Sequence, residues 1–281
     1  MLDPPRNSPD GLLLVGHGTR DPQGQREFRA TAAQVQARWG SPRVESCFLE
    51  LASPTIAEGV AAAYDAGVRH LTVVPLLLFA AGHATRDIPS AVDEAAARYS
   101  DLRVRLVTEA LDCHPAMLWL SELRFRQALC GRVPVPPEET ALVMIGRGSS
   151  NAEATRSMHR FAALRRQRTP VARLDVGFMA VQKPTLGEAL EAALASGNRR
   201  VVVQPHLLFQ GELVAQVHQA AAEAAYRRQE IIVTSHLAPG WPLARAVVDQ
   251  ACNRLAASSI TGLEASSCKK IDPPAMVLRN G

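Results

Sequence analysis

Residues 13–83 recur, without a gap, at an offset of 130 positions. GHGTRD (16–21) aligns with GRGSSN (146–151), FLELASPTIAE (48–58) with FMAVQKPTLGE (178–188), and VVPLLLFAAGH (73–83) with VQPHLLFQGEL (203–213). Glycines and prolines punctuate a backbone, so placing them identically twice predicts two like folding units. Gly16/Gly146, Pro54/Pro184, Gly67/Gly197, Pro75/Pro205 and Phe79/Phe209 occur in both copies. His17, Glu50 and His83 instead become Arg147, Ala180 and Leu213. One duplicated scaffold carries one set of metal-capable side chains.

The hydrophobic pattern says what each unit is. Leu12–Val15 is an aliphatic run ending in glycine and reads as a buried strand. A helical stretch over 27–39 follows, then a strand at 44–49. Ser53-Pro54 suggests an N-cap with proline in the first helical position, opening an Ala-rich helix that ends near Gly67. Leu71–Phe79 is nearly continuous in apolar residues, as a parallel strand covered on both faces requires. A helix over 88–99, a strand over 104–108 and a closing helix over 117–129 complete the cycle. The β-α-β-α order predicts an α/β fold: two tandem doubly wound parallel-sheet domains, related by the internal repeat, with a cleft between them.

The expected division is a metal-site domain over 11–130, a proline-rich linker over 131–140, a degenerate repeat over 141–255, and a Ser-rich disordered tail over 256–281. Net charge is +4 for the chain, but −2 over the first 130 residues and +4 over the next hundred. Arg165, Arg166, Arg168, Arg199 and Arg200 cluster there, to be read as a solvated basic face or as an attraction for a polyanion. With few aromatics and no basic run interleaved with them, nucleic acid is not an expected partner. Five scattered cysteines without a C-x-x-C fit free thiols and give no sign of an iron–sulfur cluster. No apolar run reaches membrane-span length, so the expectation is a soluble cytoplasmic protein.

Ligands of doubly wound sheets bind beyond the carboxyl ends of the strands. His17, Glu50 and His83 follow the first, second and third predicted strands and so share one edge. Singly, each has an ordinary explanation: a loop histidine, a helix-start acid favoured by the macrodipole, a capping or stacking residue. Jointly, two imidazoles and a carboxylate form a mixed N/O set for a borderline divalent metal. All three are lost together in the other copy. The GHGTRDP loop offers backbone amides to an anion as well, but lacks the lysine of a P-loop and the spacing of a dinucleotide fingerprint.

LLLVGHGTRDP (12–22), FLELASPTI (48–56) and VVPLLLFAAGHATRDIP (73–89) resemble the CbiX/SirB-type class II chelatases, which insert metal into sirohydrochlorin. The resemblance spans roughly residues 11–255 as two fused copies. It implies that His17, His83 and Glu50 bind an incoming Co²⁺ or Fe²⁺, with Ni²⁺ also open. It further implies that these residues take up the displaced pyrrole protons. The metal is a substrate, no nucleotide is needed, and the product belongs to cobalamin or siroheme biosynthesis. A polycarboxylate tetrapyrrole calls for basic contacts, for which Arg20, Arg86 and Arg147 are the candidates. Arg20 and Arg86 have the alternative of pairing with Asp21 and Asp87. Because the halves are fused, a monomer is plausible. A non-catalytic metal or tetrapyrrole carrier would keep the same ligands, and a histidine-phosphatase reading is disfavoured by Gly16 where an arginine should precede His17.

Overall fold

The structure, a computed structural model, describes residues 10–40, 43–79, 86–224 and 229–259. The first half runs β1 (Asp10–Gly16), α1 (Pro22–Trp39), β2 (Val44–Phe48), α2 (Ile56–Asp65), β3 (His70–Pro75), α3 (Ile88–Ala96), β4 (Arg103–Leu106) and α4 (Pro115–Leu129). After a short 3₁₀ turn at Pro137–Glu139 the second half repeats it. There β5 (Thr140–Gly146), α5 (Ala152–Arg168), β6 (Arg173–Phe178), α6 (Leu186–Ala195), β7 (Arg200–Pro205), α7 (Glu212–Glu223), β8 (Glu230–Val233) and α8 (Trp241–Ser259) follow in turn. Two four-stranded parallel sheets result, ordered β2-β1-β3-β4 and β6-β5-β7-β8. Their registers match: Gly16 pairs with Phe48 and Val15 with Pro75, as Gly146 pairs with Phe178 and Ile145 with Pro205. The predicted α/β class and tandem parallel sheets are what the chain forms.

Alternation along the strands sorts the cores. Leu13, Val15 and Val73 face α2 and α3, while Ala141, Val143 and Ile145 face α6 and α7. Leu12, Leu14, Leu142 and Met144 point the other way, into one core shared by both halves and filled by α1, α4, α5 and α8. The last helix of each half crosses to the other. Helix α8 packs on α1 and β3. Ser121 of α4 receives hydrogen bonds from Arg165 of α5 and Gln204 of β7. The helix expected to close the first half therefore covers the second.

Three local expectations change. Strand β3 stops at Pro75, which has no N–H to continue a ladder. The apolar run continues because Leu76, Leu78 and Phe79 pack on the shared core, not because the strand does. The cap of α2 is Thr55, not Ser53: Thr55 and Glu58 form a capping box that satisfies two free amides, and Thr185 with Glu188 repeats it on α6. The basic cluster is only partly a surface feature. Arg165 and Arg200 are buried, the first bonded to Ser121 and Thr169, the second to Glu230 and the Val133 carbonyl. Arg168, at the surface, pairs with Glu122.

Candidate metal site

The edge where β1 and β2 end is built by the backbone before any functional side chain is placed. Leu49 N–H donates to the Gly16 carbonyl (2.8 Å) and Glu50 N–H to that of His17 (3.1 Å), zipping the two post-strand loops together. Gly18 has φ +102°, and a Cβ there would lie 1.7 Å from the Glu50 carbonyl oxygen, so only glycine fits. The second half repeats the device at Gly148 against Ala180. Thr19 and Asp21 serve the fold: Asp21 accepts from the amides of Gln23 and Gly24 to cap α1, and its own amide donates to Thr19 Oγ1. The amides of Asp21, Gln23 and Gly24 are thereby taken, and Arg20 makes no ion pair with Asp21.

On this frame His17 Nε2 stands 3.4 Å from Glu50 Oε1, with the imidazole half-buried and the carboxylate exposed. The structure thus brings together two of the three predicted ligands. His83 lies outside the described residues, and among those described no group of three His, Cys, Asp or Glu side chains converges on one point. Glu50 lies two residues past the end of β2 and not on it. Arg20, Arg86 and Arg147 are all exposed, and Arg147 takes the position directly after β5 that His17 takes after β1. Leu51 and Val181, one residue beyond Glu50 and Ala180, adopt left-handed φ values of 63° and 68°. Such a conformation costs an aliphatic residue about 1–3 kcal/mol.

The second half closes over this edge. A Cβ on Gly24 would come within 2.2 Å of the Gln210 carbonyl oxygen, so the loop after β7 rests directly on the start of α1. Glu27, buried, holds that loop. Its Oε2 accepts from the Gln210 amide (2.8 Å) and contacts His236 Nε2 (2.8 Å), while Oε1 accepts from the Gln23 side chain (2.9 Å). Phe209 packs edge-on against Phe28 beneath it. Neither Glu27 nor His236 was singled out in the sequence. The available signal was a carboxylate within the buried stripe Gly24, Phe28, Thr31, Ala32, Val35, where a charge needs a partner.

Behind the second half's edge lies a buried polar group. His206 is enclosed between Phe161 (centroids 4.2 Å) and Phe79 (5.6 Å), and neither ring nitrogen has a hydrogen-bond partner. Burial, with a smaller contribution from the Arg165 charge, pushes its pKa down to about 3. Burial likewise lowers Arg165 to about 10, against the pull of Glu122. The first half has Leu76 and Val35 at these positions.

Comparison with known proteins identifies the family. The sequence profile of the CbiX family matches residues 11–128 and again 141–254. A sirohydrochlorin cobaltochelatase of Priestia megaterium is 30% identical over 222 residues, 78% of this chain and 71% of the relative. A sirohydrochlorin ferrochelatase of Bacillus subtilis is 29% identical, over 80% of this chain and 84% of its own. Among solved structures, SirB from Bacillus subtilis with Fe³⁺ superposes with a TM-score of 0.77 at 26% identity, covering 89% of this chain and 97% of that one. A SirB complex with cobalt gives 0.75 at the same identity, covering 90% and 97%.

Proposed function

From the premise that the chain belongs to the CbiX family, we propose that it inserts Co²⁺ or Fe²⁺ into sirohydrochlorin, in cobalamin or siroheme biosynthesis. The observation that carries this reading is the His17–Glu50 pair, 3.4 Å apart at one strand edge and replaced by Arg147 and Ala180 at the equivalent edge. His83, which follows the third strand in sequence, is the third ligand in this reading.

The chemistry follows from what these groups can do. A neutral imidazole ligates a divalent ion, and with an ordinary pKa of about 6.5 it accepts a proton once the ion has left. Glu50 lowers the cost of bringing a dication out of water and takes the second pyrrole proton. Three protein ligands with open positions hold the ion loosely enough to hand it on, whereas a closed tetrahedral set would keep it. Insertion changes no oxidation state and needs no nucleotide. Arg20, Arg86 and Arg147, exposed around the edge, are proposed contacts for the substrate carboxylates. The free cysteines and the fused halves support a cytoplasmic monomer, and no helix among the described residues is long and apolar enough to cross a membrane.

Anaerobic incubation with sirohydrochlorin and Co²⁺, Fe²⁺ or Ni²⁺ supplied singly tests the reading. The optical spectrum should shift to that of the metallated ring at a rate well above the uncatalysed one. Tight metal binding without acceleration would identify a carrier instead.

A further inference from the structure

Among the described residues only two that are not glycine have a positive φ, Leu51 and Val181. They are the same position of the repeat. Both also belong to the small set of exposed large hydrophobic residues, at 47% and 73% exposure. Each feature opposes the other's usual justification. Glycine or asparagine would occupy this conformation at less cost, and a β-branched valine pays most. An aliphatic side chain normally offsets such strain by burial, yet these two face solvent.

Their placement suggests what they contact. Leu51 directly follows Glu50, and its Cβ lies 3.6 Å from where a Cβ on Gly18 would stand, beside His17. Val181 follows Ala180, held against Gly148 by the same carbonyl packing. The second half has thus dropped the carboxylate but kept the strained aliphatic residue next to it. Each loop follows the edge strand, β2 or β6, at the C-terminal end of its sheet. The loops after β1 and β7 carry a contact between the two C-terminal ends, with Thr19 Oγ1 3.8 Å from where a Cβ on Gly211 would stand.

We infer that Leu51 and Val181 form an apolar clamp for the flat face of the tetrapyrrole ring, one side chain from each half. The inference rests on the chelatase reading and adds a division of labour to it. The periphery of the substrate carries carboxylates and calls for arginines, whereas its conjugated face is apolar and calls for aliphatic contact. Seating that face beside His17 and Glu50 keeps the pyrrole nitrogens opposite the metal and sheds water from both. These are positioning residues: they bind the ring and take no part in proton or metal transfer.

The test uses the full chain with Leu51→Asn and Val181→Asn, singly and together, since asparagine accepts the left-handed conformation and spares the loop. Fluorescence quenching by sirohydrochlorin should show about tenfold weaker binding for each single variant, equivalent to ~1.4 kcal/mol. KM should rise with kcat little changed. Co²⁺ affinity and Tm should stay at wild-type values or, for Tm, increase. Leu51→Met should retain wild-type affinity. Ring affinity within twofold of wild type in the double Asn variant, while the wild type inserts metal normally, would overturn the clamp alone. A wild type that binds no tetrapyrrole would overturn the chelatase reading and the clamp with it.

Discussion

Position by position along the 130-residue offset, the two halves share a backbone and place their polar side chains differently on it. In the first half the strand edge carries His17 and Glu50, and Val35, Val74 and Leu76 are buried in the shared core. In the second half the edge carries Arg147 and Ala180. Its inner face holds Arg165, Gln204 and His206, all buried. Sheet order, register, capping boxes and the two glycine–carbonyl contacts are the same in both. A parallel βα scaffold is thus set by strand alternation, turn residues and caps, and polar chemistry can be moved from its edge to its interior without changing its topology.

The contrast is sharpest in catalysis. His17→Ala should slow metal insertion by roughly a hundredfold or more, since several kcal/mol of charge stabilisation pass through each ligand. Arg147→Ala should leave kcat near wild type and raise KM about tenfold; steady-state insertion kinetics separate the two. Equal losses in kcat would erase the distinction between the halves.

Inside the core the asymmetry reverses. Removing the Arg165 side chain with Ala leaves a cavity and deprives Ser121 and Thr169 of a partner, so urea denaturation should show a loss of about 3 kcal/mol. Val35→Ala, the matching change in the first half, removes only apolar contacts and should cost less.

A pH titration isolates His206. Its folded pKa of about 3 lies below the unfolded value near 6.5, so the unfolded chain binds the extra proton between these limits. Stability from this residue is complete above about 6.5 and is lost as pH falls toward 3, at up to about 1.4 kcal/mol per unit. His206→Leu, which installs the residue found at position 76, should flatten the stability curve over that range relative to wild type. Parallel curves would mean that the imidazole is protonated in the fold.

The smallest effects should be equal between halves. Thr55→Ala and Thr185→Ala each remove one capping box and should each cost about 1 kcal/mol by thermal denaturation. A large difference between them would show that the shared backbone is unequally supported.

Much of this was legible in the chain itself. Aliphatic runs ending at Gly16 and Gly146 located the central strands, and the loss of three side chains from a retained scaffold singled out His17 and Glu50, which the structure brings to 3.4 Å. What stayed hidden depends on contacts between segments distant in sequence. Leu76–Phe79 looks like strand because burial in the shared core demands the same residues as burial in a sheet. Arg165 looks like surface because nothing nearby in sequence reveals Ser121, 44 residues away. The exchange of α4 and α8 leaves no local trace, since an amphipathic helix reads the same whichever sheet it covers. Glu27 and His236, 209 residues apart, become a pair only once the second half folds over α1.

The central claim is that one half holds the metal and the other does not. Anaerobic equilibrium dialysis with Co²⁺ tests it directly on wild type, His17→Ala and Arg147→Ala. One ion per wild-type chain is expected, abolished by His17→Ala and retained by Arg147→Ala; two ions per chain, or undiminished binding by His17→Ala, would contradict it.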